Sequence, residues 1–501
     1  MLKSNHPSNV LALSTQSPAS IDLPSLLENA SHHPIPLPTQ HNTLAFLAEQ
    51  AKNRTALVHF ANQAKPVIDI KLLKLMQDFL TYKKRHGSQI EKDLYKNILL
   101  DEFISRLLIK RPFVFMGESD YYQLQDGQTG MGHFDSIGQP QEEAPFILKD
   151  YLSYDEMQIA ALITVATPSF FVNKGHKTNK GIPGEPDSFE KQGLIVGTVG
   201  TRFERPNLNE YAHILITREQ NTFENGYGKH ANKQQKEKHR YFAQYYHQGE
   251  FDDYYFPSYE EAEADTENKY IALNNDVYIN AAVYKRRIRA VIEPFLVSAN
   301  EFGQKNDRHV FVEASRIGLG VWAIDATKQA PLQLEVYAEI LSEVPLPAIT
   351  DINFGRFKNN SEVIWQGLLK AYSFEVCGNN INIHHIERSP LEKLPLPHHD
   401  KVLVTNYAWD GNAFPGNEYW LGKRYFAASS DPAAACCTQI CELQNPLINP
   451  NICGANTTVT LQGRMIPIQW FDRLKCHGQY PIFISETNRM IQSSQLKPDK
   501  K

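Results

Sequence analysis

The sequence predicts an α/β fold, and three observations predict it. Short apolar runs of strand length recur: Leu194 to Val199, HVFVEA from His309, AITDINF from Ala348 and KVLVTNY from Lys401. Longer stretches with apolar residues at helical spacing lie among them, the clearest from Tyr278 to Phe302 and from Gln333 to Val344. Glycine-bearing loops join the two kinds of element, which is the rhythm of a sheet with crossover helices.

Taken in order, residues 1 to about 60 are rich in Ser, Pro, His and Asn (HHPIPLPTQHN, for example) and lack a sustained period, which predicts a mostly disordered extension. Residues 61–110 form a helical lead-in. Ile68, Leu72, Leu75, Met76, Phe79 and Leu80 from Val67 onward share one helical face that stops at His86-Gly87, and Ser88 with Glu91 is a capping-box pattern opening a second helix. Residues 111–480 are the main α/β domain. Within it, residues 218–270 are polar, charged and tyrosine-rich and predict an inserted, partly exposed helical segment; residues 481–501 are a polar tail.

Composition limits the function. The chain has 501 residues, with 51 Lys+Arg against 56 Asp+Glu and a formal charge of −5, so a nucleic-acid partner held by a basic field is not expected. No run of about 18 apolar residues predicts a membrane span, and the first 20 residues lack the apolar core of a signal peptide. The chain therefore reads as soluble, with export by another route left open. All six cysteines fall at or after position 377 without zinc spacing, which predicts reduced thiols and no metal; the His pairs at 32–33, 384–385 and 398–399 read as polar loop residues. Aromatic residues make up 11% of the chain, which predicts large packed surfaces or stacking sites.

Chemistry concentrates in two loops that follow predicted strands. HVFVEASRIGLGVWAID places Gly318, Leu319, Gly320, Val321 and Trp322 where backbone N–H groups can approach a phosphate, although an ordinary turn has the same spacing. VTNYAWDGNAFPGNEYW carries Asp410, Asn412, Gly416, Asn417 and Glu418 among large aromatics, at the strand end where α/β folds place ligands. Asp431 precedes Pro432 and reads equally as a helix N-cap and as a second site carboxylate. Arg202 and Glu204 point the same way in extended chain, which suits a bridging ion pair at a site's edge but reads more readily as a surface ion pair. Walker, serine-elbow and zincin motifs are absent.

These two loops resemble those of macrodomains, the α/β modules that bind ADP-ribose. With RPFVFMGESDYYQL, DYLSYDEMQIAALI, GTVGTRFE and SSDPAAACCTQICELQNPLIN, the chain resembles, over roughly residues 100–455, a Legionella effector family of macrodomain-fold ADP-ribosyl hydrolases that includes MavL. The resemblance implies a macrodomain-like mixed sheet flanked by helices and an ADP-ribosylated protein as substrate. It also raises a host-protein partner, and it needs no cofactor. It implies that Gly318 to Val321 hold the diphosphate, that Asn412, Asn417 and Glu418 surround the distal ribose with Gly416 and Trp322 also in the ADP-ribose site, and that Asp410 and Asp431 are the catalytic carboxylates. Tyr407, Trp409, Phe414, Tyr419 and Trp322 are candidates for stacking on adenine. Two departures stand out. The glycine loop precedes the Asn-rich loop, the reverse of ordinary macrodomains, and Pro415-Gly416-Asn417-Glu418 replaces the tandem glycines of chain-cleaving enzymes. A non-catalytic ADP-ribose reader fits the same motifs, whereas ADP-ribosyl transfer fits less well, because Glu261 and Glu263 lie in a plain acidic run.

Overall fold

The structure is a computed structural model that describes residues 9–10, 20–250, 253–273, 276–357, 360–373, 377–424, 435–471, 475–477 and 480–481. Its centre is a mixed nine-stranded sheet. In chain order the strands are β1 (Lys65–Asp69), β2 (Thr164–Phe170), β3 (Gln192–Thr198), β4 (Val310–Glu313), β5 (Ile349–Asn353), β6 (Asn382–His384), β7 (Val402–Ala408), β8 (Thr458–Leu461) and β9 (Arg464–Pro467). Across the sheet they run β6-β5-β4-β7-β3-β2-β1-β8-β9. The first five of that order are mutually parallel, while β2 is antiparallel to both β3 and β1.

Strands β2, β4 and β7 are buried at almost every position, so both faces of the sheet are covered. The helix Ala281–Lys305, capped by the Asn280 side chain, lies across the sheet, and Ala326–Glu343 packs beside it. As expected from the sequence, this is an α/β sheet flanked by helices.

Three expectations change. Val67 and Ile68 do not open a helix. They belong to β1, where Val67 pairs with Thr164 and Ile68 with Val459, and the helix starts at Ile70, capped by Asp69. Two adjacent β-branched residues bury one side chain on each sheet face, which a single helix face does not do. The Ser88–Glu91 capping box is present, but it opens a short helix, Gln89–Tyr95, with Leu100–Ile109 as a separate one. These helices share one continuous hydrophobic core with the sheet.

The extension is the largest correction. Leu23–Ser31, Leu44–Ala48 and Ala51–Gln63 are helices whose Leu26, Leu44, Leu57 and Phe60 pack around Leu443 and Ile448. The polar residues between them are anchored too. The Asn42 amide donates to the carbonyls of Ala435 and Thr438 and to Tyr419 Oη, and Glu442 accepts the Leu44 N–H at 2.6 Å. The partners lie almost 400 residues away, so a local reading of hydrophobicity does not find them.

In the insert, Lys233–Tyr245 is a helix that lays Tyr241 on Phe79 and Tyr82. Residues 1–8, 11–19 and 482–501, and with them most of the polar tail, lie outside the described residues, as does Asp431 together with the helix start at Asp431-Pro432. Helical turns Ala435–Cys437 and Ile440–Leu443 follow and end before Asn445. Among the described residues no helix is long and apolar enough to cross a membrane.

Candidate active site

Strand β7 lies between β4 and β3, with Glu313 level with Thr405 and Thr198 level with Ala408. All three run the same way, so the loops after Thr198, Glu313 and Ala408 emerge side by side. This is the crevice beyond the carboxyl ends of parallel strands. The loops are pressed together. A Cβ on Gly200 would stand 2.2 Å from the Gly318 nitrogen, and Gly318, at φ +63°, would carry one 2.8 Å from the Thr201 nitrogen. Only glycine fits at either place. Arg287, wholly buried on the long helix, ties down the first loop by donating to the carbonyls of Val199, Gly200 and Ala161 while pairing with Glu210 at 2.8 Å.

Asp410 sits at the centre, 6% exposed. Its Oδ1 accepts the Asn412 N–H at 3.0 Å and its Oδ2 accepts the Asn417 amide at 3.2 Å. Burial pushes its pKa up to about 7, against the pull of Arg202, the Asn412 N–H and Arg111. Arg202 is also buried. It pairs with Glu204 at 2.7 Å and Asp120 at 3.1 Å and lies over the Phe115 ring, and Asp410, Glu204 and Asp120 keep it protonated against the cost of burial. It is therefore a buried ion pair rather than the surface pair that the sequence suggests. Arg111 lies over Trp409, and burial draws its pKa down to about 9. A buried carboxylate near two arginines can take or release a proton close to neutral pH.

Asp410, Gly411 and Asn412 line a narrow cleft with Met157, Ala161, Val199, Gly200, Arg202, Asn209, Glu210 and Trp322. It encloses about 10 Å³, room for roughly one water. Asn209 is the unexpected member. It is 6% exposed with φ +49°, and neither its amide nitrogen nor its oxygen has a hydrogen-bond partner. A buried amide left unpaired costs stability, and both of its polar atoms can still take a partner. A larger cavity of about 430 Å³ lies between Asp69, Tyr245 and Arg289, but Lys285 and Arg289 there are already paired with Glu335, Glu339, Glu293 and Glu343.

The residues expected from sequence separate into two groups. Asp410, Asn412 and Trp322 meet in the cleft. In the glycine loop Leu319 is buried, Gly320 is open and Val321 is 86% exposed. None of the N–H groups from Gly318 to Trp322 donates within the described residues, and Gly200 packs closely against that of Gly318. Asn417 is placed differently, because its side chain links Asp410 to the backbone of Phe115 and positions the carboxylate. Gly416, at φ +92°, is a turn against Cys441 and Ala435, and Glu418 is half-buried two residues beyond it.

The loop aromatics are structural. Tyr407 donates to Gln444, Trp409 to the Ala413 carbonyl and Trp420 to the Pro415 carbonyl; Phe414 packs on Phe113, and Tyr419 meets Thr39. All five are buried, so of the aromatics proposed to stack only Trp322 stays at the cleft. Of the residues around the cleft, Arg202 stood out in the sequence, whereas Asn209 and Glu210 lie in RPNLNE, which matches no motif.

The fold and site together define an α/β protein with a polar cleft at the ends of its parallel strands, lined by two buried carboxylates, Asp410 and the Arg287-paired Glu210. The chain belongs to the MavL-like ADP-ribosylhydrolase family, whose model matches residues 25–473. It is 32% identical over 401 residues to the ADP-ribosylarginine hydrolase CG2909 of Drosophila melanogaster, covering 78% of this chain and 77% of that protein. It is 34% identical over 405 residues to the ADP-ribosylarginine hydrolase CG3568 of the same animal, with the same coverage. The family match begins inside the segment whose sequence suggests disorder.

Proposed function

We propose that this chain hydrolyses the bond between ADP-ribose and an arginine side chain of a modified protein, using a macrodomain-like cleft with Asp410 as general base. The observation that carries this reading is the buried Asp410 carboxyl beside a space the size of one water. Both curated relatives are named as ADP-ribosylarginine hydrolases, which supports the choice of linkage. Because both come from an animal, family membership does not by itself imply a bacterial effector.

The chemistry of that linkage suits a single carboxylate. An arginine-linked guanidinium is already protonated, so when the bond from the ribose anomeric carbon to nitrogen breaks, the electron pair stays on nitrogen and a neutral guanidine leaves. No general acid has to supply a proton. Water forms the new carbon–oxygen bond and gives its proton to Asp410, which also faces the oxocarbenium-like charge of the transition state. Arg202 and Arg111 offset burial enough for the carboxylate to ionise near neutral pH. Asn412 and Asn209 are assigned to the distal ribose hydroxyls, the Gly318 to Val321 N–H groups to the diphosphate, and Trp322 to one face of the ligand. Because the cleft has room for about one water, the attacking water occupies it and the reacting ribose and nucleotide lie across its mouth.

The test follows melting temperature with added ADP-ribose, then release of ADP-ribose from proteins modified on arginine, serine or glutamate. A rise in melting temperature with release from arginine alone is expected. No shift at millimolar ADP-ribose and no release would remove the reading, and binding without release would make the chain a reader. Asn209→Ala is expected to weaken ADP-ribose binding about tenfold or more while changing stability by under about 1 kcal/mol, since removing an unpaired buried amide and placing alanine at φ +49° act in opposite directions. Calorimetric titration and a thermal melt of the same variant check both halves.

A further inference from the structure

We propose that Asp351, His384 and His398 form a binding site for one transition-metal ion, with Zn²⁺ the ion that the donor set fits best. This site is separate from the Asp410 cleft and does not rest on the proposed hydrolysis. Asp351 comes from β5, His384 from β6 and His398 from the segment leading into β7, so three stretches of chain converge at the edge of the sheet. Asp351 is level with Phe311, which is itself level with Leu403, seven residues before Asp410 on the β7 side.

The geometry is close to that of a bound ion. Asp351 Oδ1 lies 2.8 Å from His384 Nε2 and 3.5 Å from His398 Nδ1, and all three ligand atoms fall within 4.8 Å of one another. A tetrahedral zinc site spaces its ligand atoms about 3.3 Å apart, so shifts of under about 1 Å complete it. His398 Nδ1 is buried and has no hydrogen-bond partner. A buried ring nitrogen 3.5 Å from a carboxylate oxygen, with no hydrogen bond of its own, is a donor that an ion can take. Both rings are held by packing on Phe311, His384 stacked at 5.6 Å and His398 tilted at 5.3 Å.

The second carboxylate oxygen is already committed. Asp351 Oδ2 accepts from Lys401 and from Thr350 Oγ1, so the carboxylate is oriented; Oδ1, which accepts the Asn382 amide at 3.4 Å and shares a 2.8 Å hydrogen bond with His384 Nε2, is the oxygen that an ion would take over. The Lys401 ammonium also selects among ions. Mg²⁺ and Ca²⁺ are bound by oxygen ligands and carboxylate charge, which the ammonium partly cancels, whereas Zn²⁺ and Co²⁺ gain from two imidazole nitrogens. A fourth position stays open for water or for a donor from elsewhere. The ion would tie the three-residue edge strand β6 to β5 and β7. The histidines are 14 residues apart; the parallel pairing of β6 with β5 brings His384 to Asp351 and the segment leading into β7 brings His398, which is why spacing along the chain does not show the site.

The test uses the full chain, stripped with a chelator and dialysed, then titrated with Zn²⁺ by calorimetry and thermal melt and with Co²⁺ by visible absorption. One ion per chain, a higher melting temperature, and cobalt bands without thiolate charge-transfer absorption are expected, with no response to Mg²⁺ or Ca²⁺. His384→Ala and His398→Ala should each lower affinity at least about 100-fold, with circular dichroism and the response to ADP-ribose unchanged. Replacing Cys436 and Cys437 by serine should leave the ion in place. No stoichiometric ion in the wild type, or an affinity unaltered by both histidine variants, would overturn the proposal. His398→Gln, which keeps size and polarity, serves if either alanine variant loses its fold.

Discussion

Asp410→Asn is expected to cut release of ADP-ribose by about 100-fold or more and, at the same time, to stabilise the fold. The two effects share one cause. Burial raises the Asp410 pKa to about 7 in the folded chain, whereas in the unfolded chain it ionises near the ordinary value of about 3.9. Between those values the folded state holds a proton that the unfolded state has released, so stability falls as pH rises from about 4 to about 7 and the full cost stands above that. Asparagine carries no charge and removes this cost, less whatever the Asn417 contact loses. The net gain is on the order of 1–3 kcal/mol at pH 8 and vanishes near pH 4. Chemical denaturation of both proteins across that range measures the difference directly, which matters because Glu442 and Glu313 also have raised values and slope the wild-type curve. In the wild type the hydrolysis rate should rise with pH through an inflection near 7, as a general base requires. A flat profile, or a variant that loses stability above pH 7, would contradict the assignment.

Removing residues 1–60 is expected to abolish cooperative unfolding altogether. If this segment were the disordered extension that its composition suggests, the shortened chain would melt as the full one does. Instead it carries Leu26, Leu44, Leu57 and Phe60 into a core completed by Leu443 and Ile448. Each such side chain contributes about 1.5–3 kcal/mol by burial, and together they rival the whole stability of a typical fold. The loss would reach the site, because His33 stacks on Trp420 and Thr39 and Asn42 hold Tyr419 in the loop that carries Asp410. A graded version is Leu26→Ala, expected to cost about 2–5 kcal/mol in a thermal or urea melt.

What was legible in the sequence is what neighbours along the chain decide. Strands β4 and β7, the helix from Ala281 and the capping box at Ser88 are written in local pattern, and Asp410, Asn412 and Trp322 could be picked out because they directly follow strands. What distant partners decide was not. Val67 and Ile68 become a strand because Thr164 and Val459 pair with them, and Asn42 is buried because Ala435 and Thr438 accept its protons. Asn209 gave no pattern at all, since its importance lies in the partners it lacks. The loop aromatics misled for a related reason: an aromatic residue beside a polar cluster reads the same whether it faces a ligand or the core.

The position of β7 bears on how the protein is made. Strands β3 and β4 leave the ribosome long before residue 402, yet neither pairs with the other, and the slot between them is filled only when β7 arrives. A nascent chain therefore carries two apolar strand edges through the synthesis of roughly the last hundred residues before the sheet can close, a state that invites aggregation. Any product that stops short of residue 408 lacks both the central strand and the carboxylate behind it. Such a fragment would be a substrate for quality control rather than a weak enzyme.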